Sequence, residues 1–494
     1  MTALVGRDDF GRQIRAEWTK LRSVRRWVFA LAGAGVLTVI LSLLAASGSG
    51  TDANLYPNFV TGPNGDPVAD EFEFVHQRVS GDVTITARVV TQADSHEKAT
   101  AGLMIKDGVR SGSRYAALAL TPGNGVRLQA DFTTDRYTGP GAAGTWLRLT
   151  RTGRTVTGHW SADGRNWHSA KLPTKASLPK SVDVGLFVSS PPRLIVERQA
   201  GSSSVGEEPT VGRATFDNVS IVGAPLALQA AEVRQATGTP QDSSAPVGKK
   251  GSQQDYVAGM TESGGVFTVT GRGKIGPNPP DDDIVQVSLF GVLAVVIVLA
   301  AVGALFMTSE FKQGMLRTTF TASPRRWRLL AAKAIVLGGV GFGIGLVSSV
   351  TALFVAQPLL RDRGWTLPAF PPPSVTNPAV LRALLTTSVF VAAVALLALG
   401  IATITRHSAA AIGSVVALVV LPLLVASALP SGAARLLMQL TPAGGFATQR
   451  AKPPTVALVD PSAMLSPWWG LCVVCVYAAA AMAGAWWSLR RRDT

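Results

Sequence analysis

The chain has 494 residues, with 46 Lys plus Arg against 31 Asp plus Glu and a formal charge of +15. Apolar residues make up 47% and charged residues only 16%, too low a share for a wholly soluble chain, where roughly 25% is usual. The basic excess sits beside apolar runs, which points to membrane topology and anionic lipid and away from nucleic acid.

From Phe10 to Val28 the spacing predicts a helix: Phe10, Ile14, Trp18, Leu21, Val24 and Val28 recur every three or four residues. Arg12, Arg15, Lys20, Arg22, Arg25 and Arg26 lie largely off that stripe. Residues 1–27 therefore read as an amphipathic arm on the inner leaflet, with Trp18 and Trp27 at headgroup depth. The run that follows, to Ala46, reaches the ~20 residues a span needs. A secretory signal peptide is the competing reading, but the long patterned arm favours an uncleaved anchor, with the first span at 28–46.

Residues 47–283 are polar and read as β structure. Short alternating runs, among them Val83–Val89, Ala101–Lys106, Arg114–Leu120, Trp146–Thr150 and Thr155–Trp160, are separated by turns. This predicts a two-sheet antiparallel sandwich over about 67–222. Asp163-Gly164 marks a hairpin between Trp160 and Trp167. Residues 223–255, rich in Ser, Gln, Ala and Lys, read as a flexible linker, and a further strand is expected over about 264–275.

Five more apolar runs follow, at 284–308, 329–356, 379–405, 408–429 and 468–489. Six spans put both termini on one side. Arg490, Arg491 and Arg492, with Arg406 between spans four and five, put that side in the cytoplasm. The expected fold class is a six-helix polytopic membrane protein with an inserted extracellular all-β sandwich. Residues 309–328 form a basic cytoplasmic loop whose one acid is Glu310, set against cations that continue to Lys333. Span three carries Gly338, Gly339, Gly341, Gly343 and Gly345, which predicts a close helix–helix face. Pro422 should kink span five. Within the outer loop 430–467, Leu436 to Arg450 reads either as a re-entrant or interfacial segment or as an ordinary loop.

No Asp, Glu, Lys or Arg lies near the middle of any span, which argues against ion-coupled transport and suits an apolar or amphipathic path. The sequence holds no G-x-x-x-x-G-K-[ST], no H-E-x-x-H and no nucleophile elbow. His76, His96, His159 and His168 lack ligand spacing, and Cys472 and Cys475, one helical turn apart, are assigned to packing. No catalytic, cofactor-binding or metal-binding residue is assigned.

Two resemblances add to this reading. The motifs DEFEFVHQRVSGDVTITARV, AGLMIKDG, WLRLTRTG, GHWSADGRNW and ATFDNVSI resemble a bacterial concanavalin-A-like (laminin-G-like) sandwich over about Asp70 to Val222. Relatives of that sandwich include carbohydrate binders, so an extracellular glycan is an implied ligand, although Trp146, Trp160 and Trp167 read first as core. The opening strand of that module is missing here. A matching stretch, Gly265 to Gly273, comes after the sandwich, which suggests a circular permutation with the edge strand supplied from the carboxyl side.

The arm RAEWTKLRSVRRW, the large loop after span one, the stretch SEFKQGMLRTTFTASPRRWRLLAAK and the six spans together resemble a type-2 ABC exporter permease. The resemblance implies an export subunit, not itself an enzyme, that binds no cofactor. A separate ABC ATPase subunit would use the ATP, and a second permease copy, the same or different, would complete the assembly. By the same resemblance, Glu310, Gly314, Leu316, Arg317, Thr319, Phe320, Pro324 and Arg325 form the ATPase-coupling segment. Glu17, Trp18, Lys20, Leu21 and Arg22 belong to the interface helix. The expected location is the plasma membrane. The alternative function is a membrane-anchored glycan-binding receptor or adhesin without transport, which accounts for the sandwich but leaves six spans where one would serve.

Overall fold

Among the described residues, fifteen glycines with positive φ punctuate the β region, while the flanking segments carry long helical runs with one such glycine, Gly364, and the fold divides accordingly. The structure, a computed structural model, describes residues 5–49, 60–93, 96–171, 177–199, 202–234, 259–280, 282–312, 326–367, 370–452 and 465–491. It contains two compact units. One is Met1–Leu55, Val196–Val205 and Asp281–Thr494; the other is Tyr56–Ile195 and Gly206–Pro280.

The first unit is helical apart from residues 196–205, whose described part is strand, within Arg193–Gln199 and Ser202–Glu208. Helix α1 (Val5–Ser23) and helix α2 (Arg25–Gly48) are separated by Val24, whose backbone is extended. The arm thus ends four residues earlier than the periodicity predicts, and Trp27 belongs to α2, where it is buried. The expected second span is also divided, into α3 (Ile284–Ser288) and α4 (Val292–Lys312). Asp283 caps α3, its Oδ1 accepting from Val285 N at 2.9 Å. At the break, Gly291 lies so close to α2 that a Cβ would sit 1.9 Å from the Thr38 carbonyl oxygen. Helix α4 absorbs Ser309–Lys312 and helix α5 (Arg326–Asp362) absorbs Arg326–Arg328, so the loop between them is shorter than 309–328.

Helix α6 (Pro378–Thr405) is the centre of this unit and packs against α4, α5 and the last helix. Asn377 caps it and Pro378 opens it. Arg406, at φ +56°, turns the chain into α7 (Ser408–Val419) and α8 (Leu421–Ala426). The interruption falls just before Pro422, which has no N–H to give to the helix ladder. Residues 430–449 are not an irregular loop: α9 (Ser431–Leu440) leads into a 3₁₀ helix, Pro442–Gln449, every residue of which is buried. Its Gly445 lies against Phe390 of α6, where a Cβ would be 2.3 Å from the ring. Helix α10 (Pro467–Arg491) closes the unit. Among the described residues, six helical stretches are long and apolar enough to cross a membrane: Arg25–Gly48, Val292–Phe311, Trp327–Asp362, Pro378–Thr405, Ser408–Ala426 and Pro467–Arg491.

The glycines of α5 divide between two faces. Cβ atoms built at Gly341 and Gly345 would meet Ala392 and Ser388 of α6 at 3.2 Å, so these two set a close helix contact. Gly339 and Gly343 have nothing within 4 Å.

The second unit is built from strands that pair antiparallel throughout the described residues. In chain order they are β1 (Val68–Asp70), β2 (Phe72–Ser80), β3 (Val83–Ala93), β4 (Thr100–Lys106), β5 (Tyr115–Thr121) and β6 (Gly125–Ala130). Next come β7 (Thr134–Gly139), β8 (Trp146–Thr152), β9 (Thr155–Ser161), β10 (His168–Lys171), β11 (Ser181–Ser189) and β12 (Arg193–Gln199). The last are β13 (Ser202–Glu208), β14 (Gly212–Val222), β15 (Gln229–Val233), β16 (Gly259–Ser263), β17 (Val266–Gly271) and β18 (Ile275–Pro277). One seven-stranded sheet runs β10-β9-β8-β3-β14-β17-β16 and the other runs β15-β2-β11-β4-β5-β6-β7. A single core joins them, with Ile85, Leu149, Phe216 and Phe267 from the first sheet and Val75, Leu103, Leu118 and Leu186 from the second. The alternating burial of β3 shows the period-2 pattern that the sequence displays.

Two expectations need correction here. The late strand β17 is not an edge: it lies between β14 and β16, with Phe267 opposite Phe216, and β16 takes the edge. The stretch read as linker from residue 223 holds β15, which pairs with β2 from Gln229↔His76 to Val233↔Phe72. Its Ala-rich sequence has little strand propensity, and the pairing with β2 decides its conformation.

Candidate functional site

Glu17 and Lys20 lie three residues apart on α1 and so share a face. Glu310 stands two residues before the end of α4, and Lys333 lies in the second turn of α5. The fold gathers all four. Lys333 Nζ donates to Glu17 Oε2 at 2.7 Å and to Glu310 Oε1 at 2.8 Å. Lys20 Nζ donates to Glu17 Oε1 at 2.7 Å and to Glu310 Oε1 at 3.0 Å. The side chains of Lys333, Glu17 and Glu310 are 0%, 3% and 5% exposed, while Lys20, at 43%, reaches solvent. Two carboxylates face two ammonium groups, so the cluster is neutral as a whole, the condition under which buried charge is tolerable.

Aromatic packing fixes the surround. Lys333 Nζ stands 4.3 Å from the centroid of Phe306, and Phe306 meets Trp27 of α2 edge-on. Phe10 of α1 packs against Trp327 of α5. Partial burial alone would lower Lys20, but its hydrogen bonds and the charges of Glu17 and Glu310 outweigh it and hold the ammonium above its ordinary value. Glu310 Oε2 is buried and has no hydrogen-bond partner. The cluster has no nucleophile–base arrangement, and its four groups form a mechanical clasp between the arm and the adjacent ends of α4 and α5.

Of the residues singled out from sequence, Glu17, Lys20 and Glu310 meet in this clasp and Leu21 is buried beside them on α1. Trp18 is 47% exposed, and Arg22 is exposed. Gly314, Leu316, Arg317, Thr319, Phe320, Pro324 and Arg325 lie outside the described residues. Lys333 completes the cluster although it is not among the residues singled out from sequence, since along the sequence it falls in line with the loop cations. The signal was present, since Lys333 is the one charged residue in the run 329–356 and Glu310 the one acid in the preceding loop.

At the far end of the helical unit a second acid fixes a turn. Asp283 Oδ2 accepts from Ala451 N at 2.6 Å and from Lys452 N at 2.9 Å, which ties the chain after the 3₁₀ helix to the start of α3.

Two polar depressions lie on the β unit, one of about 350 Å³ lined by Lys98, Thr100, Gln129, Ser189 and Lys274 among others and one of about 500 Å³ around Asn124, Arg127 and Tyr137. None of the three tryptophans considered for sugar stacking lines either of them. Trp160 is 8% exposed, and its Nε1 donates to the Thr138 carbonyl. Trp146 and Trp167 are half-buried beneath the guanidinium groups of Arg88 and Arg148. Asp163 organises the hairpin turn: Oδ1 accepts from Arg165 N and Asn166 N, and these bonds hold its carboxyl below the ordinary range. Among the described residues no group of three or more His, Cys, Asp or Glu could hold a metal.

No family model matches the chain, and no curated protein matches it. Among solved structures, a functionally unknown protein from Saccharomyces cerevisiae is similar over 31% of this chain and 74% of its own, at 18% identity and a TM-score of 0.21. Scytalido-glutamic peptidase with a peptide-based transition-state analogue is similar over 42% of this chain and 100% of its own, at 8% identity and a TM-score of 0.24. SCP-B of the eqolisin family, in complex with a tripeptide, gives 8% identity over the same shares and a TM-score of 0.23. At these scores the likenesses carry no inference about fold or activity.

Proposed function

We propose that this chain is the membrane-spanning subunit of an ATP-driven exporter of the type-2 ATP-binding-cassette class. A separate ATPase subunit supplies the energy and this chain holds no nucleotide. The observation that carries the reading is the clasp. The arm and the α4–α5 turn are the two elements that the sequence resemblance assigns to the ATPase, and Glu17, Lys20, Glu310 and Lys333 bind one to the other. A partner pressing on either element therefore moves both.

Six apolar helices supply the spans. The cationic arm and the basic α4–α5 loop support a topology in which the clasped ends and both termini are cytoplasmic and the β unit lies outside the plasma membrane. ATPase closure pushes on the segment around Leu316, Thr319 and Phe320. The push reaches α4 and α5 directly, and reaches α2 through the clasp and α1. The rocking of these helices alternately opens an apolar or amphipathic path. A second permease copy completes the path across a two-fold axis.

The test co-purifies the full chain from its native membranes and reconstitutes it with any ATPase subunit that it retains. Asp at Leu316, Thr319 and Phe320 together should abolish transport-linked ATPase stimulation while membrane insertion stays normal. Undiminished stimulation, or the absence of any ATPase that binds the chain, overturns the proposal.

A further inference from the structure

On the flank of the helical unit, α1, α2 and α5 enclose a groove of about 870 Å³. It extends along α2 from Val28 to Val39 and along α5 from Gly339 to Thr351. Those stretches are eleven and twelve residue steps, about 16–18 Å at the helical rise of about 1.5 Å per residue. That is the depth of one leaflet, half of a hydrocarbon core about 30 Å thick. The floor is smooth, because Gly339 and Gly343 of α5 present no side chain and have open space before them. Val36 and Val347 line it while 61% and 66% exposed.

The charge is placed at one end, whereas the other end carries only the hydroxyls of Ser348 and Thr351. Trp18 and Arg22 of α1 contribute at one end, and the exposed Arg25 and Arg26 follow them at the start of α2. No acidic residue lines the groove. A cation and an indole at the mouth of an apolar channel one leaflet deep are what the headgroup and chain of an anionic lipid require. The same charge pattern disfavours a second copy in this position. A two-fold contact sets like patches against each other, and this patch carries cations with no acid to meet them.

We propose that the groove between α2 and α5 is a binding site for an anionic glycerophospholipid, its acyl chain lying over Gly339 and Gly343 and its phosphate held by Arg22. The site rests on the membrane reading above but on no aspect of transport. The bound lipid covers the apolar face that α2 and α5 leave open, and it places a negative charge beside the arm that carries half of the clasp.

The experiment inserts the full chain into nanodiscs of equal phosphatidylglycerol and phosphatidylcholine and reads lipid retained on the protein by native mass spectrometry. The parent chain should retain phosphatidylglycerol preferentially. Gly339→Leu with Gly343→Leu fills the floor and should lower retained lipid about tenfold or more, the equivalent of 1.4 kcal/mol. Leu is a better helix former than Gly, so the variant should melt no lower than the parent. Arg22→Gln should cut the preference for phosphatidylglycerol about three- to fivefold, the range of an exposed ion pair. Equal retention by the parent and the double-leucine chain overturns the site, as does a parent that retains no lipid. So does a double-leucine chain that loses self-association while keeping its lipid. A chain that fails to enter the discs overturns the membrane reading as well, which separates the two failures.

Discussion

Replacing Lys333 by Met tests the clasp most directly. Met keeps the unbranched stem beside Phe306 and removes only the charge and its donors. Lys333 is wholly buried and makes two bonds, at 2.7 and 2.8 Å, to two different carboxylates. Without it, Glu17 and Glu310 face each other with Lys20 alone between them. Breaking a buried ion pair from one side typically costs about 3–5 kcal/mol, because the orphaned charge stays desolvated. Lys20 is 43% exposed and remains in contact with both acids, so the lower end, about 3 kcal/mol, applies. Taking about 2–4 °C per kcal/mol for a unit of this size, the full chain in nanodiscs should melt about 6–12 °C lower. Adding Glu310→Gln restores one acid to one base, and the double variant should recover at least half of the loss. A Lys333→Met chain that melts within 2 °C (about 1 kcal/mol) of the parent would show that the four groups do not act as a clasp. A double variant worse than either single change would show the same.

The remaining expectations concern the β unit. Deleting Val266 to Thr270 removes β17 from between β14 and β16 and should leave the unit unfolded by circular dichroism; an unchanged melting curve would refute the interior placement. Phe267→Ala, at a site 3% exposed and opposite Phe216, should cost about 3–5 kcal/mol in denaturant titration. Burial, with Glu232 directly opposite on β15, pushes Glu73 up to about 7. A carboxyl raised in the folded state stabilises most below its unfolded pKa and loses that contribution as pH rises through the folded value. The β unit should therefore lose about 1–3 kcal/mol between pH 5 and pH 8, and Glu73→Gln should flatten that slope; a parallel slope in the variant assigns the loss elsewhere. Lys106 and Asp70 pair at 2.6 Å with both side chains fully buried, and burial pushes the lysine down and the aspartate up. Lys106→Met should cost about 3–5 kcal/mol. Asp70→Leu with Lys106→Met should still cost about 1–3 kcal/mol, because Gly112 N loses its acceptor and the Ser113 carbonyl its donor. A neutral double variant would show that water replaces them.

What the sequence made legible follows from which signals are local. Apolar runs and two-residue alternation are properties of single segments, so six helices and most of the sandwich could be read directly. Breaks within an element were harder. Val24 is an ordinary β-branched residue in a helical pattern, and nothing in its identity announces an extended backbone. Gly291, in the break between α3 and α4, is pressed against α2, a fact about another part of the chain. The strand β15 has an Ala-rich sequence and exists through its pairing with β2. The 3₁₀ segment is buried because Gly444 and Gly445 let it approach Met438, Phe390 and Gly470 closely, which a Gly-Gly pair permits without requiring. Lys333 differs from these. A lone cation within an apolar run must find an acid if it is buried, and the nearest candidate, Glu310, was already in view. Counting it with the loop charges hid a constraint that electrostatics alone could have drawn.

The break at Val24 and the clasp explain each other. One extended residue between α1 and α2 leaves the direction of the arm undetermined by chain continuity, since a single φ/ψ pair can swing everything before it. Something beyond the backbone must fix it. Leu21 supplies apolar burial and the Phe10–Trp327 contact adds a second point, but neither is directional. Glu17 and Lys20 supply direction, because they bond each other on α1 and each bonds a different neighbouring helix, Glu17 to Lys333 of α5 and Lys20 to Glu310 of α4. An arm held by charge at one end and by a one-residue hinge at the other can transmit a push while clasped and swing once unclasped. Charge loss at Lys333 should therefore separate two properties that a continuous helix would lose together. The spans should still insert, since α2 and α5 keep their apolar surfaces, while stimulation of a bound ATPase falls with the arm adrift. If stimulation survives in a Lys333→Met chain whose melting temperature has dropped as expected, the arm stabilises the fold without carrying the stroke, and the coupling must run through the α4–α5 turn alone.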